Sequence, residues 1–476
     1  MSPGSELRKT LGRKEVLGLA FGAMIGWGWV VLSGEMIDRA GSVGSVAAFL
    51  LGALMVLFVG LTYAELTAAL SREGGALTFT YAAMGPKVSY LCGWALILAY
   101  FAVCAFEAVA FPAVAAYLMP GLQMGYLYSI QGADVHLSWV LAGCIVALAI
   151  GVTNYCGIRF SAFLQWLATL LLLAIGAAFF LQGNLAGSWE NLRPEFTDVG
   201  GFFRVVIMTP FLFLGFDIIP QVSEEIKVPA RALGKLILTS IAMAFAWYGL
   251  VQWTVGLSLD HAARTASSLP TADAMAAVYG SPLAGHVLVF GGLLGILTSW
   301  NGFFIGATRL FFAMGRARML PEIFCRLHPR FGTPSAAIVL MTLLTMGAPF
   351  FGRPALVWLV DAGSFATVVV YLLVAAAFLL LHRRYPHLPR PYRVGRPRLI
   401  GGAALVATVF FAALYLPGSP SALLWPYEWL IVLIWSALGA LLGLRLARRL
   451  PREEMQAQAE YILGDYAALL EKSRSA

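Results

Sequence analysis

Gly22-Ala23-Met24-Ile25-Gly26-Trp27-Gly28 lies in the middle of an apolar stretch that runs from about residue 16 to 39. Glycine has the largest backbone entropy to lose on ordering, so three glycines in seven residues disfavour a continuous helix and let the backbone unwind. A second interruption, Phe213-Leu214-Gly215-Phe216-Asp217 followed by Pro220, falls at a similar depth within an apolar stretch at 205–222. Glycines in membrane helices also permit close packing, and for either break alone that reading stands beside unwinding. Matching breaks at two places favour unwinding.

The chain around these breaks has 476 residues, 60% of them hydrophobic and 12% charged. That composition exposes more apolar surface than a water-soluble domain tolerates and points to an all-α polytopic membrane protein. A bilayer is crossed by roughly 20 apolar residues in helical form. Gly, Pro and charge punctuation then divides the chain into twelve spans, near 16–39, 44–69, 87–117, 136–156, 160–182, 205–222, 234–258, 284–308, 333–351, 355–382, 397–417 and 424–448. The first apolar segment runs past Gly34 with no small-residue cleavage site behind it, which reads as a retained helix.

The two breaks sit in spans 1 and 6, five apart. Since five is odd, spans 1–5 (16–182) and 6–10 (205–382) would run in opposite senses, and paired interruptions in two such halves are the sequence sign of an inverted-repeat transporter. Two further spans follow at 397–448; an N-terminal segment at 1–15 and a tail at 449–476 flank the spans. Unwound backbone is tolerated at mid-membrane only where it is buried or lines a polar cavity. The half-helix after the first break aims free N–H groups and its positive dipole end at that cavity, which suits a carboxylate. Carbonyls released at the same breaks suit an ammonium group. Together these ends describe an α-amino acid.

Charge placement sets the expected orientation. With an even number of spans both termini share a side, and 27 of the 32 Lys and Arg residues fall on it; Arg39, Arg193, Arg204, Arg264 and Arg353 are the exceptions. The positive-inside rule places both termini in the cytoplasm, in an inner or plasma membrane. The net charge of +8 therefore reports topology and implies no nucleic-acid partner. The five cysteines show no disulfide framework, and the six histidines show no metal-ligand spacing. Neither a P-loop nor a nucleophile elbow is present, which argues against ATP-driven pumping and against an enzyme. No cofactor or metal is expected.

Glu107 stands inside span 3 on the helix face of Tyr100, Cys104 and Phe111. A carboxyl at that depth costs about 2.5–3.5 kcal/mol on insertion scales and needs a cavity, a partner or a proton. It is a candidate for binding a substrate amine or carrying a coupled proton; a protonated carboxyl bonded to a neighbouring helix is the plainer alternative. Asp217, at the end of the second break, is placed to cap the following half-helix and is a second coupling candidate. Phe211 and Phe216 could close over a substrate, or simply pack. Asn301 and Phe303, beside Trp300 in a Gly-rich span 8, give a weaker pocket signal. Glu224 and Glu225, with Lys227 and Arg231, could hold an inner gate closed or belong to a solvated loop. Tyr461, Ile462, Leu469 and Leu470 recur at roughly helical spacing in the tail, as in a short surface helix or a partner site.

Several of these segments resemble the amino acid/polyamine/organocation superfamily of permeases. Gly22-Ala23-Met24-Ile25-Gly26 resembles its first-helix signature; Tyr63-Ala64-Glu65-Leu66 with Gly74-Gly75 and Tyr81, then Gly93-Trp94, resemble the second helix and the start of the third. Asn154, Gly157 and Ser161 resemble the connection into the fifth helix. Gly215-Phe216-Asp217, Glu224-Glu225-Ile226-Lys227 and Pro229 are similar to the sixth-helix segment. Thr308-Arg309, Met314, Arg316, Leu320-Pro321, Phe324, His328 and Thr333-Pro334 resemble the eighth helix and its loop. The resemblance spans about residues 14–397. It implies a LeuT-like fold of five-plus-five inverted helices with two more, and a secondary transporter of amino acids, polyamines or related amines. The implied substrate site is formed by main-chain groups of Gly22, Ala23, Met24, Ile25, Gly26 and Trp27 and of Phe213, Leu214, Gly215, Phe216 and Asp217.

The chain departs from the family pattern at three places. Arg72-Glu73 stands where many members have a proline, Gly28-Trp29-Val30 where they have Gly-x-Phe, and residues 160–182 hold none of the lysine that proton-coupled relatives can carry. No Ser/Thr pair diagnostic of sodium is legible, so proton coupling or exchange is the expectation. A polyamine or amine carrier remains open, as does a channel or receptor built from the same helices.

Overall fold

The computed structural model describes residues 9–26, 28–119, 121, 123–267, 269–419, 422–447 and 452–475. Two short helices open the chain, α1 (Arg13–Met24) and α2 (Gly28–Ala40), inclined to each other by 44°. Next come α3 (Ser42–Ala69), α4 (Ala76–Met84), α5 (Pro86–Leu118), α6 (Leu137–Tyr155) and α7 (Ile158–Ala186). α8 (Val199–Leu212) and the single turn α9 (Ile218–Gln221) flank the second break. α10 (Ala230–Ser258), α11 (His261–Ala266), α12 (Pro270–Tyr279), α13 (Pro282–Arg316), α14 (Ser335–Gly347) and α15 (Ala355–Arg384) follow. The chain closes with α16 (Pro397–Leu414), α17 (Tyr427–Ala447), α18 (Arg452–Leu463) and α19 (Tyr466–Ser475).

Among the described residues, eight helices (α3, α5, α6, α7, α10, α13, α15 and α16) are long and apolar enough to cross a membrane, and α1 with α2 makes a ninth if the bent pair counts as one. α8, α14 and α17 are shorter apolar helices. The protein is an all-α, multi-pass membrane protein. Leu, Ile and Phe side chains exposed along α6, α7 and α17, such as Leu141, Ile145, Phe163, Leu170 and Leu433, fit a lipid-facing surface.

α5 is the most enclosed of the long helices, with 83% of its apolar window buried against 22% for α16. It packs between α13 and α15 and also touches α4 and α6. α13 has 35 residues, about 50 Å at the usual helical rise. Small residues let it approach both α1 and α5: a Cβ on Gly302 would lie 2.8 Å from Ala23 Cβ, and one on Gly306 2.8 Å from Tyr100 Cε2.

Two features depart from the sequence expectation. The sixth apolar stretch becomes helical at Val199 rather than near 205, because Asp198 caps it: Gly201 N donates to Asp198 Oδ1 at 2.8 Å. The segment before α6 is a small antiparallel hairpin, β1 (Tyr126–Ile130) with β2 (Ala133–His136). Gln131 and Gly132 form its turn with φ of 48° and 78°, the two positive values a tight hairpin turn needs.

The described terminal segments, from residue 9 and up to residue 475, both contact one face of the bundle. Thr10 N and Leu11 N donate to Glu225 O at 2.8 and 2.9 Å, and Lys227 N donates to Leu11 O at 2.9 Å, joining the start of α1 to the loop after α9. The α18 and α19 helices seat on the α3–α4 turn and the end of α13 on that same face.

Candidate substrate site at the two helix breaks

α1 ends at Met24, and Ile25 leaves helical geometry with φ −100° and ψ 66°. α8 ends at Leu212, and Gly215 follows with φ +134°, a conformation that L side chains rarely adopt. The two breaks touch: a Cβ on Gly215 would lie 2.9 Å from Met24 Cγ and 3.0 Å from Met24 N. Trp27 lies outside the described residues.

Freed backbone groups inside a membrane protein need partners, and α10 and α5 reach the breaks with hydroxyls while α13 packs against the first of them. Tyr248 of α10 donates its hydroxyl to Met24 O at 2.8 Å. Ile25 O and Gly26 O face α13, 2.8 and 3.1 Å from where a Cβ on Gly295 would stand. At the second break Gly215 N donates to Asp217 Oδ1 at 2.9 Å, and Tyr100 of α5 donates to Asp217 Oδ2 at 2.6 Å.

Asp217 therefore does not cap α9, as its position in the sequence led us to expect. It has helical φ and ψ (−74°, −4°) and makes no side-chain cap bond. An Ncap residue usually needs extended geometry to reach forward; from a helical one this carboxylate turns back over the break and ties it to α5.

A small cavity of about 20 Å³ sits at the junction. Its walls are Ala23, Met24, Gly26 and Gly28 of the first break, Phe211, Leu212 and Leu214 of the second, Val103, Phe106 and Glu107 of α5, with Tyr248, Ser299 and Phe303. Such a space holds about one water, so an amino acid enters only when wall residues move. Phe106 and Phe211 meet edge to face at 5.9 Å in this wall, Phe211 standing just before the second break. Glu107 is 2% exposed. A Cβ on Gly26 would collide with Glu107 Oε1 and come within 2.9 Å of Ser299 Oγ, so the carboxylate and the hydroxyl lie directly against the unwound backbone.

The structure thus brings Ala23, Met24, Gly26, Glu107, Phe211, Leu214 and Phe303 together. The remaining residues expected at the site stand around the cavity rather than in its wall. Gly22 faces Gln165 and Thr169 of α7, each 2.8 Å from a Cβ placed on it. Ile25 is fully buried. Phe213 packs on Phe49 and Tyr248, and Phe216 on Tyr63 and Tyr371. Asn301 belongs to a separate polar network. Asn154 Nδ2 and Ser161 Oγ donate to Asn301 Oδ1 at 2.8 and 2.7 Å; Asn301 Nδ2 donates to Gln165 Oε1 at 2.9 Å, and Gln165 Nε2 to Thr298 O at 2.8 Å. Tyr248, Ser299 and Phe106 were not singled out from the sequence. The adjacency of Phe106 to Glu107 and of Ser299 to Trp300-Asn301 was the available signal.

The face carrying the termini is closed by charge. Arg309 Nε meets Glu225 Oε1 at 2.8 Å with both side chains buried. Glu224 is held by Arg72 at 3.2 Å and Arg316 at 3.3 Å, and Arg316 is 3.8 Å from Glu73. Burial, reinforced by the nearby Glu224 and Glu225 and opposed by Arg309 and Arg316, holds the Glu73 carboxyl well above the ordinary carboxylate range. Glu224 and Glu225 are therefore part of a packed charge cluster and not of a solvated loop. Nearby, the fully buried Glu65 carboxylate engages Arg390 at 3.0 Å, His382 at 2.9 Å and Val394 N at 2.8 Å.

The amino acid permease family model matches residues 11–453, nearly the whole chain, both breaks and the charge cluster included. The chain belongs to the amino acid permease family. This places it in the amino acid/polyamine/organocation superfamily. Among its similar proteins are the branched-chain amino acid permease BcaP of Bacillus subtilis, 27% identical over 85% of this chain and 87% of that one, and the methylthioribose transporter of the same organism, 25% identical over 94% and 95%. The Bacillus subtilis aspartate-proton symporter is 26% identical over 86% of this permease and 80% of its own length. Such relatives mark this permease as a transporter of small molecules.

Proposed function

We propose that this permease carries an amino acid across an inner or plasma membrane by alternating access, rocking about the breaks at 25–27 and 213–217. In this reading residues 16–182 and 205–382 form two inverted five-span halves, 397–448 adds two further spans, and both termini are cytoplasmic. The substrate carboxylate takes the free N–H groups at the start of α2, whose positive dipole end faces the cavity. The substrate's ammonium group takes Glu107. The observation that carries this is the pairing of Glu107 with unwound Gly26 backbone in one small cavity, while the Met24, Ile25 and Gly26 carbonyls are engaged by Tyr248 or turned to α13.

Coupling is to protons or to exchange of a second substrate, with Glu107 as the group that exchanges a proton for the ammonium; the similarity to an aspartate-proton symporter supports the first. A carrier of amines or polyamines is the second reading, favoured by a carboxylate buried among apolar walls. A channel or receptor is disfavoured by the two helix breaks that meet at Met24 and Gly215.

The test is ligand-induced thermal stabilisation of the purified protein, followed by uptake into proteoliposomes. A ligand at about 100 times its dissociation constant adds roughly 2.7 kcal/mol. Amino acids stabilise and their decarboxylated amines do not, and Glu107→Gln weakens binding by about 10- to 150-fold, the loss of one bond to a charged group at ~1.5–3 kcal/mol. Stabilisation by amines alone moves the reading to amine transport. Unaltered binding and pH dependence in Glu107→Gln removes Glu107 from it.

A further inference from the structure

The last two helices are docked, and what they dock on is the charge cluster at the gate. α18 and α19 are joined at Gly464, whose φ is +53°, and seat Ile462, Leu463 and Leu470 out of solvent at 5–7% exposure. Gln458, itself buried, donates Nε2 to Ala317 O at 2.9 Å, immediately after the end of α13. Arg72 Nη2 donates to Tyr461 O at 3.1 Å, and Ser71 N donates to Tyr466 Oη at 3.3 Å. Tyr461 and Ile462 close over Glu73, Glu224 and Arg316, leaving only about 10 Å³ between them.

Arg72 is shared. Its Nη2 holds the tail while its Nε holds Glu224, and the neighbouring Glu225 accepts from Thr10 and Leu11 at the start of α1. A path to the central cavity on this face has to separate the start of α1 from residues 223–227, and the tail fixes the arginine that keeps residue 224 in place. We propose that α18 and α19 form a latch that holds this gate shut, so that lifting them speeds opening of the central site toward the face carrying the termini. The proposal rests on the transport reading for its consequence but not for the latch itself.

The latch predicts a reach beyond the tail. Ile462→Asp combined with Leu470→Asp in the full-length chain unseats both helices without altering a membrane-spanning helix. Burial of one aliphatic side chain corresponds to a factor of roughly ten or more in an equilibrium, so hydrogen–deuterium exchange at Thr10, Leu11 and Lys227 should quicken at least tenfold while the α5 amides hold their rate. Uptake by the same protein in proteoliposomes, per folded molecule, should change in maximal rate or in KM. Fast exchange confined to residues 452–475, with Thr10, Leu11 and Lys227 protected as in the wild type, overturns the latch. Altered exchange with no uptake by either protein leaves the latch standing and removes the transport reading. Unaltered uptake per folded molecule beside unaltered gate exchange means the tail only stabilises. Should the double variant fail to fold, Tyr466→Phe with Gln458→Leu removes two polar contacts and keeps the apolar seat; a two- to threefold quickening at Lys227 is expected, and none overturns the proposal.

Discussion

Changing Tyr248 to phenylalanine removes a single oxygen. The ring, stacked on Phe49 at 5.3 Å, keeps its packing, so the effect is confined to the bond with Met24 O at 2.8 Å. That carbonyl belongs to the unravelled end of α1 and, among the described residues, takes no backbone donor. A buried carbonyl stripped of its donor costs about 1–3 kcal/mol, a factor of ~5–150 in an equilibrium. The penalty falls on the closed conformation, because opening of the cavity admits water as a substitute donor. With ~2 cal/mol/K per residue over 476 residues, unfolding entropy near 1 kcal/mol/K turns this into a fall of about 1–3 °C in Tm. The assay is thermal unfolding of purified Tyr248→Phe without ligand, paired with KM for uptake in proteoliposomes. A lower Tm with an altered KM is expected, since the conformation in which the cavity is shut down to about one water is disfavoured. Wild-type values of both refute the argument that Tyr248 holds the first break.

Three further outcomes follow from geometry. Gly215→Ala places a side chain at φ +134° and 2.9 Å from Met24 Cγ; strain of about 1–3 kcal/mol should abolish ligand-induced stabilisation while far-UV circular dichroism stays helical. Arg309→Ala leaves Glu225 buried without its cation and should cost about 3–5 kcal/mol, most of it recovered in Arg309→Met with Glu225→Leu; additive losses in the melting series would contradict a buried pair. Glu73, whose carboxyl is held well above its ordinary 4.5, binds its proton more tightly in the fold than in the unfolded chain. Stability therefore falls as pH rises from that value toward the raised one. Glu73→Gln should flatten the fall, giving a higher Tm than wild type at pH 8 and little difference at pH 4.

The first break was legible from its three clustered glycines, the second from Gly215, Asp217 and Pro220 at a similar depth, and Glu107 because a carboxyl is expensive there. The meeting of the breaks at Met24 and Gly215 was not, since register between helices five spans apart is set by packing. Asp217 was visible, but the direction of its side chain depends on a backbone angle that the residue type leaves open. Gln165 and Ser161 look like any isolated polar residue in an apolar span; their role exists only once Asn301 of α13 is placed beside them. The hairpin at 126–136 was hidden because its turn, Gln131-Gly132, has a non-glycine at positive φ. The tail's apolar spacing was visible, but it could not say that Ile462 and Leu470 face the protein while Leu469 faces out.

The amides of Asn154, Asn301 and Gln165 donate in one sense, from α6 to α13 to α7 and back to the α13 backbone. No single amide can be inverted without setting like groups against each other, so the chain keeps its polarity as a unit or loses it as a unit. Helices α6, α7 and α13 are thereby riveted into one plate, against which Gly22 and the end of α1 lie. Under the proposed alternating access, the motion would be against that plate, and the short pieces α1, α2, α8 and α9, separated by the two breaks, are the parts small enough to make it.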